Sequence, residues 1–166
     1  MNRLDFIESL RDARAAHQKW IGYGEKLLDG IDLQYVQAPL SSSECAFGRW
    51  FYKERDQIKH IQGFRDIEKL HEQFHRIYES LYFNAPKVHK SKGVFSSKRK
   101  QIEQSRKHAE CFKQLQKMSY RLQNKLEQVE KTVLLMSDRL FMRNCRLPST
   151  PVVSNDNINT EACKAS

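Results

Sequence analysis

Leu122, Leu126, Val129, Val133, Met136 and Leu140 follow one another in alternating steps of four and three residues, and Phe112 and Leu115 extend the spacing upstream with Ser119 interrupting it. That period gathers the side chains on one seam of a helix, whereas a strand would send successive residues to opposite faces. The seam predicts one helix from about Ser97 to Asn144. It would serve equally as the core stripe of a bundle made by one chain and as the contact between two copies.

The rest of the chain points the same way. Val and Ile are sparse, period-two alternation does not persist, and Gly and Pro fall between long helical stretches. The fold class is therefore all-α, a four-helix-bundle-like domain with a long C-terminal helix. A first helix is expected from about Asn2 to Leu28, with Leu4, Ile7, Leu10, Arg14, His17, Ile21 and Leu28 on its stripe and Asp29-Gly30 as its stop. A loop containing Pro39 follows, closed by an N-cap cluster at Ser41-Ser42-Ser43. Next comes a short helix in ECAFGRWFYKERD with Cys45 in its first turn, where the helix dipole favours a thiolate. A further helix from near Gly63 turns Phe64, Ile67, His71, Phe74, His75, Tyr78 and Leu81 inward until Pro86 bends or ends it. Residues 1–115 form the bundle, residues 97–146 the basic seam helix partly shared with it, and residues 147–166 a polar tail expected to be disordered.

A chain of 166 residues can bury a core without a metal as obligatory staple. No apolar run approaches the roughly 20 residues of a membrane span, and the first helix lacks the apolar region of a signal peptide. A cytoplasmic protein is expected. Its four cysteines, Cys45, Cys111, Cys145 and Cys163, are scattered and should be free thiols in a reducing compartment unless a metal takes one. The net charge of +9 is unevenly placed: residues 98–146 hold 13 Lys/Arg against 5 Asp/Glu. That surface could meet a polyanion, but the cations lie along a helical pattern without interleaved exposed aromatics or a nucleic-acid module, so a solvated face is preferred.

His71 and His75 stand one turn apart and point from one helix face. Alone, such a pair is as ordinary as a solvated or packing pair. Upstream, however, His17 lies on an apolar stripe and Cys45 at a helix start, and three imidazoles with one thiolate would close a tetrahedral zinc shell. Copper is the alternative ion for such donors. The letters His71-Glu72-Gln73-Phe74-His75 also spell HExxH, yet a zincin needs a cleft, a third ligand and a water facing the glutamate, and only His89 and His108 lie downstream. A di-iron bundle would need two Glu-x-x-His pairs, and Glu68 with His71 supplies one. No enzyme activity and no small-molecule substrate are expected. Cys111 and Cys145 read as packing or surface residues, His60, His89 and His108 as exposed, and Trp20 and Trp50 as core walls.

Three blocks carry a family resemblance: Ala16-His17-Gln18-Lys19-Trp20, Cys45-Ala46-Phe47-Gly48-Arg49-Trp50-Phe51 and His71-Glu72-Gln73-Phe74-His75. In this order they resemble the bacterial chemoreceptor zinc-binding domain, over roughly residues 1–85 and, with the next helix, to 115. The resemblance implies an all-α homodimer that binds Zn2+ through His17, Cys45, His71 and His75 and answers to zinc or to oxidants such as hypochlorous acid through the cysteine. It implies that Gly48 admits a second helix backbone and that Trp20 and Trp50 support the site. Family members are often fused to methyl-accepting chemoreceptors or diguanylate cyclases. This sequence shows neither output signature, so a sensory module acting on such a signalling partner in trans is expected. The competing expectation is an interaction protein in which zinc is only a staple and the basic C-terminal helix binds the partner.

Overall fold

The computed structural model describes residues 1–31, 39–84 and 98–146, and among them every regular element is helical. The order is α1 (Arg3–Leu28), α2 (Ala46–Lys53), α3 (Arg55–Ile58), α4 (Phe64–Asn84), α5 (Lys98–Leu134) and α6 (Asp138–Arg146). The expected tail, Pro86 and His89 lie outside the described residues.

Helix α1 starts because Asn2 accepts the Asp5 N–H at 2.9 Å, meeting one of the donors a helix start leaves unpaired. It ends at Asp29, and Gly30 at φ +77° carries the chain out through the left-handed conformation. Its buried stripe is Phe6, Ile7, Leu10, Ala13, His17, Trp20, Gly24 and Leu27. Leu4, expected inside, is 68% exposed, because Phe6 takes the inward place against Trp50 and Phe141 at 5.8 and 5.7 Å between ring centroids. The whole expected inward face of α4 is buried.

Helix α5 runs antiparallel to both α1 and α4. Glu130, near its C-terminal end, accepts from Arg11 at 2.6 Å and Arg14 at 3.1 Å, whereas Phe112 and Leu115 lie beside Gly24. Lys125 pairs with Asp66 near the start of α4, and Cys111 reaches the Ile77 carbonyl further down. The seam residues Phe112, Leu115, Ser119, Leu122, Leu126, Val129 and Val133 are buried within this one chain. Each fully buried leucine of the set stabilises the packed state by about 1.5–3 kcal/mol relative to exposure. The seam is the core of the bundle.

One continuous helix to Asn144 does not form. The chain breaks at 135–137 and restarts with Ser137 Oγ accepting the Leu140 N–H at 3.2 Å. The break lets α6 fold back so that Phe141, not Leu140, enters the core. Arg3 fastens the corner, donating to the Leu134 carbonyl at 3.2 Å and to Asp138 at 2.6 Å. His108 also departs from expectation: it is 5% exposed, one turn before Phe112 on the buried face of α5. On the outer face Arg99, Arg106, Lys113, Lys117 and Arg121 are exposed, and so is one aromatic, Tyr120, contrary to the expectation of none.

Candidate metal centre

Three helices each bring part of one polar cluster into the core. His17 comes from the middle of α1, Cys45 from the N-cap of α2, and His71 and His75 from successive turns of α4. They are 1%, 4%, 0% and 2% exposed, and their candidate ligand atoms all lie within 4.8 Å of one another. All four residues singled out from the sequence thus meet in one place.

The orientations are set by backbone carbonyls. His17 Nδ1–H donates to the Ala13 carbonyl at 2.7 Å, one turn back on its own helix, and His75 Nδ1–H donates to the Leu40 carbonyl at 2.9 Å. These bonds fix the tautomer that leaves Nε2 as a lone-pair donor. Neither Nε2 finds a partner, and neither does His71 Nδ1. His71 Nε2 instead lies 3.3 Å from Cys45 Sγ. Three unpartnered ring nitrogens in a closed interior are costly on their own account, since a buried polar atom without a partner loses about 1–3 kcal/mol. A cation accepting the lone pairs of His17 and His75 Nε2, with His71 Nε2 and Cys45 Sγ completing the set, would offset the cost of those two atoms.

Cys45 was expected in the first turn of α2 but caps it. Its Sγ accepts the Gly48 N–H at 3.1 Å, so the cap is the cysteine itself and not the preceding serines. Burial raises the thiol pKa, and the bonds from Gly48 and Phe47 and the charge of Arg49 only partly offset this. The expected bias toward thiolate is therefore outweighed in the metal-free protein. Burial also lowers all three imidazoles: His17 to about 4 against the Ala13 bond, His75 to about 4, and His71 to about 2 with repulsion from His17 and His75 added. The cluster is neutral near pH 7, with imidazoles ready to ligate and one proton to be lost from sulfur.

These donors fit a tetrahedral ion held by three nitrogens and one sulfur. Bonds of about 2.0–2.3 Å imply donor separations of about 3.3–3.7 Å, so the widest pair would close by about 1 Å. The surrounding wall is aromatic: Trp20 lies 4.7 Å from His75, Phe47 5.0 Å from His71 and Phe74 5.3 Å from His17 between ring centroids. Trp20 is buried and Trp50 only half-buried, packed on Phe47 at 5.6 Å between ring centroids. Glu72, the acid of the HExxH letters, lies outside the cluster, accepting from Tyr52 at 3.4 Å and pairing with Arg76 at 3.5 Å.

Sequence reasoning missed the Ala13 and Leu40 carbonyls and misassigned Gly48. A Cβ at Gly48 would sit 1.7 Å from the Ser42 carbonyl oxygen, so the close neighbour is the loop before α2 and not a second helix. Comparison with known families matches residues 17–82 to the chemoreceptor zinc-binding domain, a span that begins on His17 and contains the other three residues. Neither curated proteins nor solved structures gave a match.

Proposed function

Because residues 17–82 belong to the chemoreceptor zinc-binding family, we propose that the chain is a zinc-binding regulatory module controlling a signalling partner, such as a chemoreceptor or diguanylate cyclase, in response to zinc or oxidant. One observation carries the reading. Two buried imidazoles, His17 and His75, have Nε2 atoms without partners in one cluster with a third whose Nε2 lies 3.3 Å from a buried thiol, and the four residues come from three separate helices.

His17, Cys45, His71 and His75 would hold the ion, and Ala13 and Leu40 would orient two of the rings. When bound, zinc supplies a cross-link among α1, α2 and α4 and stabilises the thiolate form of Cys45. Cys45 is the point of control, since it is both ligand and N-cap. Two-electron oxidation of its sulfur to the sulfenic acid, with the oxidant reduced, would remove a ligand and disturb the first turn of α2. A partner contacting α2 would read the altered packing. Homodimers of the family type belong to the same proposal.

The second reading, a structural zinc staple with α5 as the binding surface, draws on the exposed cations Arg99, Arg106, Lys113, Lys117 and Arg121. Hydrogen exchange separates the two. In the sensor reading, metal removal or oxidation raises exchange in residues 44–53 while α4 and α5 stay protected. Global loss of protection would favour the staple, because metal binding would then be folding energy.

A further inference from the structure

All four cluster residues are at most 4% exposed, so an ion must pass between the side chains that cover them. A cavity of about 330 Å³ reaches one of them. Its roof is the Leu40–Ser42 segment and its floor is α4, through Glu72, His75, Arg76 and Glu79. Steps of three and four place these side chains along one strip of α4, with a carboxylate before and after the histidine. His75 is 2% exposed and its Nε2 has no partner. Its Nδ1–H is held by the Leu40 carbonyl, so the cavity roof is hydrogen-bonded to the ring beneath it. An apolar cavity between α1 and α2, lined by Ala13, Ala46, Phe47 and Trp50 among others, includes none of the four residues.

We propose that the cavity under Leu40–Ser42 is the route by which a divalent ion reaches His75 and the rest of the cluster, with the carboxylates of Glu72 and Glu79 drawing the hydrated ion in. The proposal rests on the zinc reading above. Cavities lined by one sign of charge concentrate counter-ions and speed association by factors of about 10 to 1,000. Here Arg76 opposes the two acids and pairs with Glu72 at 3.5 Å, while the Tyr52 hydroxyl also donates to Glu72. Net attraction is therefore modest, and removal of Arg76 should increase it. The acids steer the ion without ligating it in its final place, so they set the rate of loading more than its extent.

Cobalt(II) is the probe, because its bond to the Cys45 thiolate produces a charge-transfer absorption that stopped-flow mixing can follow in the metal-free full chain. At low salt and fixed pH, Glu72→Gln/Glu79→Gln should load about fivefold to tenfold more slowly than the parent with the same final absorbance. Arg76→Ala should load faster, Glu103→Gln on α5 should match the parent, and the differences should shrink as salt rises. A purely structural role would not reverse sign between the acids and the arginine. Equal rates in all variants, or slowing by Glu103→Gln as large as that of the double variant, would overturn the route while leaving the metal site standing. Absence of the absorption in the parent would overturn the site and the route together.

Discussion

The Cys45 thiol and the His71 imidazole meet at 3.3 Å in the core, although 26 residues separate them in sequence. A thiol whose pKa is raised by burial and an imidazole held at about 2 coexist there as neutral groups. The pair is uncharged until a metal displaces the thiol proton. The pH and metal responses expected below start from that pairing and its two neighbours.

The metal-free protein should weaken sharply in mild acid. His17, His71 and His75 have folded pKa values of about 4, 2 and 4, all below the ordinary value of 6.5. Below 6.5 the unfolded chain therefore binds protons that the folded chain refuses, and stability falls as pH drops from about 6.5 toward 4. With three groups the slope near pH 5 approaches about 4 kcal/mol per pH unit. Thermal melts followed by circular dichroism at pH 7.5, 6 and 5 check this, and a flat Tm across that range would contradict neutral burial.

Cys45→Ser should separate capping from ligation. Serine is a good N-cap and can accept the Gly48 N–H that Sγ accepts now, so metal-free stability should change by no more than about 1 kcal/mol. The rise in Tm produced by zinc should be lost or greatly reduced. Melts with and without zinc read both effects in one series.

Gly48→Ala should damage the site from outside it. The new Cβ meets the carbonyl of Ser42 and the Cα of Ser43, backbone atoms that cannot rotate aside. A cost of about 1–3 kcal/mol is expected. Displacement of that segment also moves Leu40, the acceptor for His75, so zinc affinity should drop. Gly22→Ala is the control: a Cβ there meets nothing within 4 Å and should stabilise α1 by about 0.5–1 kcal/mol. Denaturant melts and zinc competition titrations distinguish the two variants.

Glu130→Ala should loosen α5 from α1. The carboxylate is 7% exposed and accepts from Arg11 and Arg14, both of which can turn to water when it is gone. The expected loss is about 1–3 kcal/mol, read from a denaturant midpoint, with zinc stoichiometry unchanged.

Much of this was legible from residue order. The inward face of α4 and the stop at Asp29-Gly30 follow from spacing and glycine conformation, and the four cluster residues follow from their chemistry and three blocks of motif. What escaped depends on contacts distant in sequence. The seam spacing runs unbroken through Met136 and Leu140, but Arg3 and the Phe6–Phe141 contact turn the chain at 135–137. His108 looked solvated among charges, although it lies four residues before Phe112 on the same seam, a signal that was there to be read. The position of Cys45 at a helix start was visible. The burial that outweighs the helix dipole was not.

The most direct test is the metal content of the purified chain and its His71→Ala variant after zinc loading and desalting, with Cys45 thiol reactivity recorded before and after chelation. One zinc per parent chain is expected, with little or none in the variant and Cys45 reactivity changing on chelation in the parent alone. Equal zinc in the two proteins, with Cys45 reactivity indifferent to metal, would contradict the site.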